Sequence, residues 1–358
     1  MRIAQPVIVR IRCTVRTDVS VDGDQLNIPL INVEKRSICW GGDMKKTAII
    51  NFKGGVGKTT LSMHLACYLA RDNRVLLIDI DHQSSLSLVI LGNALWETQV
   101  KSGLTINRMF ESFCNRRISP PSSEIVIENP FNKRDPRYDF YENLDFVSAQ
   151  FELDDTEIDL ASTNYGNAAL SDWEKRTLLA DWLDSIDAGA NYDYVLFDCP
   201  PATKIVSQNA IACSDSYIVP VIPDELSSRG VTHFQSLVEN KVDKKLEYLR
   251  SSARVPADKV PENYVSGTEL AAIVPYLIKH AGRAASGYTN IHTEQLARLR
   301  RRWKAAVTQT VGQNYIAIPE AVNAGWPVWN YWGQNAKPRV KSMMQNLCQE
   351  LKDRIDAI

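Results

Sequence analysis

The sequence predicts an α/β fold, a doubly wound and mostly parallel sheet with helices on both faces. Three observations predict it. A glycine-rich stretch, Asn51-Phe52-Lys53-Gly54-Gly55-Val56-Gly57-Lys58-Thr59-Thr60, lies between a short apolar run at residues 47–50 and a segment at 61–70 with the apolar face of a helix. A buried-strand run at 74–80 reaches two carboxylates, Asp79 and Asp81, at the end of the sheet where such folds hold their ligands. A second run, 192–197, ends in a lone acid, Asp198, followed by Cys199-Pro200-Pro201.

The chemistry of the loop follows from its residue types. Gly54, Gly55 and Gly57 let backbone N–H groups turn inward and approach a polyphosphate without side-chain obstruction. The helix behind them points its positive end at the same anion. Lys58 would reach the β- and γ-phosphates, the Thr59 hydroxyl would take one Mg²⁺ position, and Val56 and Thr60 complete the cradle. Asp198 would hold the same ion through a water. A glycine-rich turn with incidental lysines does not explain this order of strand, loop and helix.

Composition sets the outer bounds. The 358 residues suffice for a sizeable core and lie at the upper limit for one domain. The formal net charge of -1 means that nucleic-acid binding must come from a local patch. Seven cysteines, without a Cys-x-x-Cys pair or metal-ligand spacing, read as a reduced, cytosolic protein lacking a structural metal. The longest uncharged apolar runs are strand-sized, and no signal-type segment opens the chain, so a cytoplasmic location is expected.

Residues 1–43 look unlike the rest. The string Trp40-Gly41-Gly42-Asp43 can be encoded by a purine-rich ribosome-binding sequence just ahead of Met44. Met44 is therefore expected to be the biological start and 1–43 a translated leader; a real N-terminal arm, disordered or not, is the alternative. Residues 92–143 read as the loosest part, with a helix starting at 105–110 and loops at 119–123 and 129–136. Strands follow at 144–149, 216–223, 271–277 and 313–319, with an amphipathic helix at 173–186 and another starting at 227–230.

In the loop, Phe52 stands where the usual motif begins with glycine, and a second lysine, Lys53, precedes Gly54. That is the deviant Walker A pattern, and it resembles the ParA/MinD family of dimerising P-loop ATPases. Asp79-Ile80-Asp81-His82-Gln83 resembles the family's switch I, with His82 in place of the usual proline, and Asp198-Cys199-Pro200-Pro201 resembles its switch II. The resemblance covers 44–358 as one ATPase domain. It implies ATP and Mg²⁺ as cofactors and a sandwich homodimer on ATP binding. By it, Lys53 crosses to the partner's phosphates, Asp81 positions or deprotonates the attacking water, and Asp79 lies behind the Mg²⁺. An Ile-Pro turn bordering adenine maps onto Ile318-Pro319, although Ala321 replaces the polar residue often found two positions on. His82 reads as a surface histidine tolerated at a turn, or else as a member of the proton chemistry.

Three further signals remain. Arg298-Leu299-Arg300-Arg301-Arg302-Trp303-Lys304 is the densest basic cluster, a footprint for DNA phosphates or a solvated helix face. Trp326, Trp329, Tyr331 and Trp332 are expected to pack on the sheet rather than form a partner platform. The helix at 341–358, diluted by Glu350, Asp353 and Asp356, is expected to dock on the core rather than on a membrane. The resemblance favours DNA or plasmid partitioning, with non-specific DNA binding, nucleoid association and a ParB-like partner that triggers a slow hydrolysis. The other expectation is a nucleotide-gated protein that positions a non-DNA cargo or acts in a multi-protein operon. A metabolic amidotransferase or ligase relative would need a small-molecule pocket that the sequence does not identify.

Overall fold

The computed structural model describes residues 43–137, 140–201, 204–224, 227–279 and 288–358, with the backbone alone for 227–229. The expectation for the leader concerns residues outside this set, apart from Asp43. The strands are β1 (Lys45–Ile49), β2 (Val75–Asp79), β3 (Ile127–Glu128), β4 (Leu144–Val147), β5 (Tyr194–Asp198), β6 (Ser216–Val221) and β7 (Glu269–Pro275). They form one sheet in the order β3-β4-β2-β5-β1-β6-β7, parallel throughout except where β3 meets β4.

The helices run α1 (Lys58–Leu69), α2 (Ser85–Lys101), α3 (Asn107–Cys114), α4 (Pro130–Arg134), α5 (Leu153–Ser162), α6 (Ala168–Glu174) and α7 (Leu178–Ser185). Then come α8 (Ala188–Asn191), α9 (Ile205–Ala212), α10 (Ser227–Leu237), α11 (Lys244–Ala253), α12 (Asn290–Trp303), α13 (Ala317–Asn323) and α14 (Pro338–Asp356). Strands β2, β5 and β6 are buried at every residue, which is why they read as unbroken apolar runs rather than alternating ones. Alternate side chains still go to opposite faces. Ile78, Phe197 and Val219 join a cluster with Leu153 of α5, Leu179 of α7 and Ile211 of α9. Leu77, Leu196 and Ile218 join another with Leu65 of α1 and Leu347 of α14. The doubly wound α/β class is thus what the chain adopts.

The C-terminal helix docks as expected, burying Met344, Leu347, Cys348, Leu351 and Ile355. The aromatic stretch packs as well. The Trp329 ring stands edge-on to the buried His64 of α1 at 5.3 Å, and its indole N–H donates to the Tyr141 hydroxyl at 2.7 Å. His64 Nε2 accepts from the Val328 amide at 3.0 Å, and burial lowers the ring's pKa to about 4, so it is a neutral core residue. Trp332 is the exception at 84% exposed.

Three expectations fail. The expected loop at 129–136 is helix α4. The Asn129 side chain caps it by accepting from the Asn132 amide, and Pro130 sits at a first-turn position where its missing N–H costs nothing. Elsewhere in the described part of 92–143 the chain reaches the core through Phe110 and Ile125, which like Phe131 are fully buried. The single helix expected at 173–186 is broken into α6 and α7. Asn209 of α9 accepts from the Leu179 amide at 3.2 Å and donates to the Lys175 carbonyl at 2.9 Å, taking over bonds a continuous helix would make. No strand covers 313–319: Gln313 makes an isolated bridge to Ile278, and Ile318-Pro319 lie inside α13. Proline, lacking a ladder donor, suits a helix's first turn better than a strand.

One close contact fixes the loop ahead of α1. The buried ring of Tyr276, just past β7, is wedged between Gly57 and Gly312, and a Cβ at either glycine would run into it. The Tyr276 hydroxyl has no hydrogen-bond partner among the described residues. Tyr276→Phe is therefore expected to leave stability unchanged or raise it by about 1 kcal/mol, whereas Gly312→Ala should cost about 1–3 kcal/mol through overpacking. Urea unfolding of the two variants checks both; a destabilised phenylalanine variant would show that the hydroxyl has a partner.

Candidate functional site

Strand β1 delivers the chain to a loop held from below. The Asn51 side-chain amide donates to the Pro220 carbonyl at 2.6 Å, while its oxygen accepts from the Lys53 amide at 3.1 Å. Gly55 (φ 71°) and Gly57 (φ 90°) take left-handed conformations open to glycine at little cost. Helix α1 then begins at Lys58 with no side-chain cap on its amino end and no acid in its first turn. Its first-turn amides stay available, which is the electrostatic requirement for an anion site. Lys58 is buried beside them at 8% exposed.

The sheet brings the acids to the same place. Ile49 of β1 and Asp79 of β2 both pair in register with Asp198 of β5, so two carboxylates stand side by side at the carboxyl ends of adjacent strands. Asp198 accepts from the Thr59 hydroxyl at 2.8 Å and from the Ser62 hydroxyl at 2.9 Å. Asp79 accepts from the Asp81 amide at 3.0 Å, the Ser87 amide at 2.9 Å and the Ser87 hydroxyl at 2.7 Å. The buried Asp81 turns its own Oδ1 to the Gln83 amide at 3.0 Å, with His82 Nδ1 3.8 Å away.

Lys53, Lys58, Thr59, Thr60, Asp79, Asp81 and Asp198 therefore all belong to the loop or to the strand ends around it. Lys53 is half-exposed and ion-paired with Asp224 at 2.5 Å. Pro319 is not in the predicted strand turn; it lies exposed on α13. The Cys199 thiol is fully buried and pushed up by that burial, which suits a packing role. Ser62, Ser87 and Asp224 were not singled out by the sequence. Ser62 lies one turn after Lys58, but serine in a helix is too common to be a signal by itself.

No group of three or more His, Cys, Asp or Glu able to hold a metal occurs among the described residues. Thr59 and Asp198 instead offer two neighbouring oxygen ligands. That set suits Mg²⁺, which keeps waters and takes phosphate oxygens rather than an all-protein cage. In the basic cluster, Arg298 pairs with Glu294, Arg300 donates to the Gln309 carbonyl and Arg302 to the Thr232 hydroxyl. Arg301 and Lys304 are exposed without a side-chain partner among the described residues. No helix there is long and apolar enough to cross a membrane.

Burial pushes the Asp198 carboxyl up to about 7, against the pull of the Thr59 hydroxyl and the Lys58 charge. Burial, and then the facing Asp198, hold Asp79 well above the ordinary aspartate range. A pKa raised on folding means that the folded state keeps a proton the unfolded chain has lost. Stability of the nucleotide-free protein should accordingly fall as pH rises from about 4 through about 7. Asp198→Asn should lessen that loss, stabilising the protein by about 1–3 kcal/mol above pH 7 and hardly at pH 4. Melting temperatures across that range check it; parallel profiles for the two proteins would contradict it.

A family model described as an AAA domain matches residues 44–250. The sporulation initiation inhibitor protein Soj of Bacillus subtilis is 33% identical over 195 residues, covering 54% of this chain and 64% of Soj. A chromosome partitioning protein ParA of Caulobacter vibrioides is 30% identical over 197 residues, covering 55% of this chain and 62% of that protein. The chain thus spans less than two thirds of the length of these relatives. Among solved structures, an aspartate-to-alanine variant of McdA from Cyanothece, in complex with ATP, superposes with a TM-score of 0.59 over 87% of this chain and 98% of that one. At 17% identity that is a likeness of fold. The matched family segment takes in the phosphate loop, Asp79, Asp81 and Asp198 and covers more than half of the sequence: the chain belongs to this AAA-domain family, with the P-loop fold of the ParA/MinD type.

Proposed function

We propose that the chain is a Mg²⁺-dependent ATPase whose ATP-bound form closes as a face-to-face homodimer and acts in DNA or plasmid partitioning. The observation that carries this reading is the meeting of an uncapped α1 amino end and buried Lys58 with the Thr59–Asp198 pair. The relatives named as partitioning proteins support the biological role.

In this mechanism the loop amides of 54–58 and Lys58 hold the phosphates. Thr59 and Asp198 would hold Mg²⁺, which when bound would supply neutralisation of the phosphate charge. Asp81 is steadied by the Gln83 amide and aligns the attacking water. Both oxygens of Asp79 are engaged, so its part is to fix the backbone of Asp81 and the start of α2. Lys53 exchanges Asp224 for the partner's triphosphate. Positioning and preorganised charge do nearly all the work, so turnover is slow until a partner protein orders the switches. Arg301 and Lys304 supply non-specific DNA contact. If the ATP-loaded protein ignores duplex DNA at low salt, positioning of a non-DNA cargo replaces partitioning.

Lys58→Ala should weaken ATP binding by about a hundredfold or more, measured by titration with a fluorescent analogue. Asp81→Ala should keep ATP affinity, accumulate dimer and lose turnover on the order of 10²–10³-fold, measured by light scattering and phosphate release. A normal rate in that variant removes Asp81 from its role. For DNA, two free cations per protomer predict a shallow salt dependence, a slope of about -2 in log affinity against log salt for each protomer. Binding that is steep, or independent of ATP, would count against the assignment.

A further inference from the structure

The outer face of α5 is unusual for a surface helix. Ile158 on the helix is 61% exposed, and Phe151, two residues ahead of its first turn, is 52% exposed. Glu152, Asp154, Asp155 and Asp159 flank them, and Asp154 alone of the four makes an ion pair among the described residues. The patch has a firm base: Phe151 leans on Trp96 at 4.9 Å, and the Trp96 indole N–H donates to the Ala149 carbonyl at 2.9 Å.

Charge decides what fits here. Anionic lipid and nucleic acid are repelled by five carboxylates within the eight residues 152–159. A twofold contact between two copies centred on this helix would set those acids against their own counterparts. A cationic protein segment carrying apolar side chains matches both features at once.

The face is also wired to the nucleotide site. The Lys204 ammonium meets Asp154 at 3.0 Å and Glu157 at 3.6 Å. The inner oxygen of Glu157 accepts from the Val206 amide at 3.0 Å, at the start of α9 and eight residues after Asp198. We propose that the outer face of α5 docks a lysine- or arginine-bearing, apolar segment of a partner protein, and that the incoming cation displaces Lys204 from Asp154. This rests on the ATPase reading above in one respect: it locates where the activating partner touches the chain.

The test uses the full-length protein without nucleotide and a short fluorescent peptide of lysine and leucine, with a glutamate and leucine peptide as control. The cationic peptide should bind and weaken with added salt, and the acidic one should not bind. The double variant D155K/D159K should lose about tenfold in affinity, and Phe151→Ser several-fold. Lys204→Ala should bind about two- to fivefold more tightly, because it frees Asp154. Carbodiimide crosslinking followed by mass spectrometry should join peptide lysines to acids of α5. Unchanged binding in the double variant overturns the proposal. So do crosslinks concentrated at Asp181, Asp184 and Asp187, around a cavity of about 820 Å³. ATP titration of the same variants verifies that they are folded. Loss of ATP binding by the parent protein would sink the ATPase reading and leave the peptide result standing.

Discussion

Two aspartates placed where neither is comfortable organise this molecule. Parallel register puts Asp79 and Asp198 side by side at strand ends, exposed at 0% and 1%. An isolated carboxylate buried this deeply costs several kcal/mol unless donors surround it or a proton neutralises it. The donors come from everywhere around the sheet: Thr59 and Ser62 from α1, Ser87 from α2, and the Asp81 backbone. The position of each element is therefore constrained by its obligation to one of the two acids.

The same obligations connect distant parts. The Ser87 hydroxyl donates to Asp79 and accepts from the Ala149 amide at 2.8 Å, just past β4 and two residues before Phe151. Asp79 in turn fixes the amide of Asp81. A displacement at the end of β4 thus reaches Asp81 through hydrogen bonds rather than through loosely packed loop. Such a pair is poor for stability and useful for chemistry, since perturbed carboxyls side by side in a low-dielectric corner are what a cation site needs.

Local rules explain what was legible in the sequence. Glycines at 55 and 57 are demanded by left-handed backbone, and acids at the ends of apolar runs by the direction of a parallel sheet, so Lys58, Asp79, Asp81 and Asp198 could be placed from spacing alone. What failed depended on partners far away in sequence. Asn209 breaks the segment at 175–177 from 30 or more residues downstream, and no helical periodicity anticipates it. Asn129-Pro130 reads equally as a turn or as a helix start, and the burial of Phe131 decides between them. The wedge of Tyr276 between Gly57 and Gly312 joins segments more than 200 residues apart.

Magnitudes separate the fixed half of the site from the half that can change. The phosphate loop is held by a side-chain amide to the Pro220 carbonyl, by a buried ring against Gly57, and by hydroxyls on a buried carboxylate. Breaking any one of these strands a buried polar group or opens a void, each costing about 1–3 kcal/mol or more. Lys53–Asp224 and Lys204–Asp154 are different: both lysines are about half exposed, and such pairs are worth about 0–1 kcal/mol. A competing phosphate or cation replaces them at almost no net cost. On the readings proposed above, Lys53 would leave Asp224 for a second protomer's phosphate, and Lys204 would yield Asp154 to a partner's cation. A rigid cradle tied to exchangeable surface pairs is an arrangement in which, on the proposed function, binding partners would govern the switches together with the nucleotide.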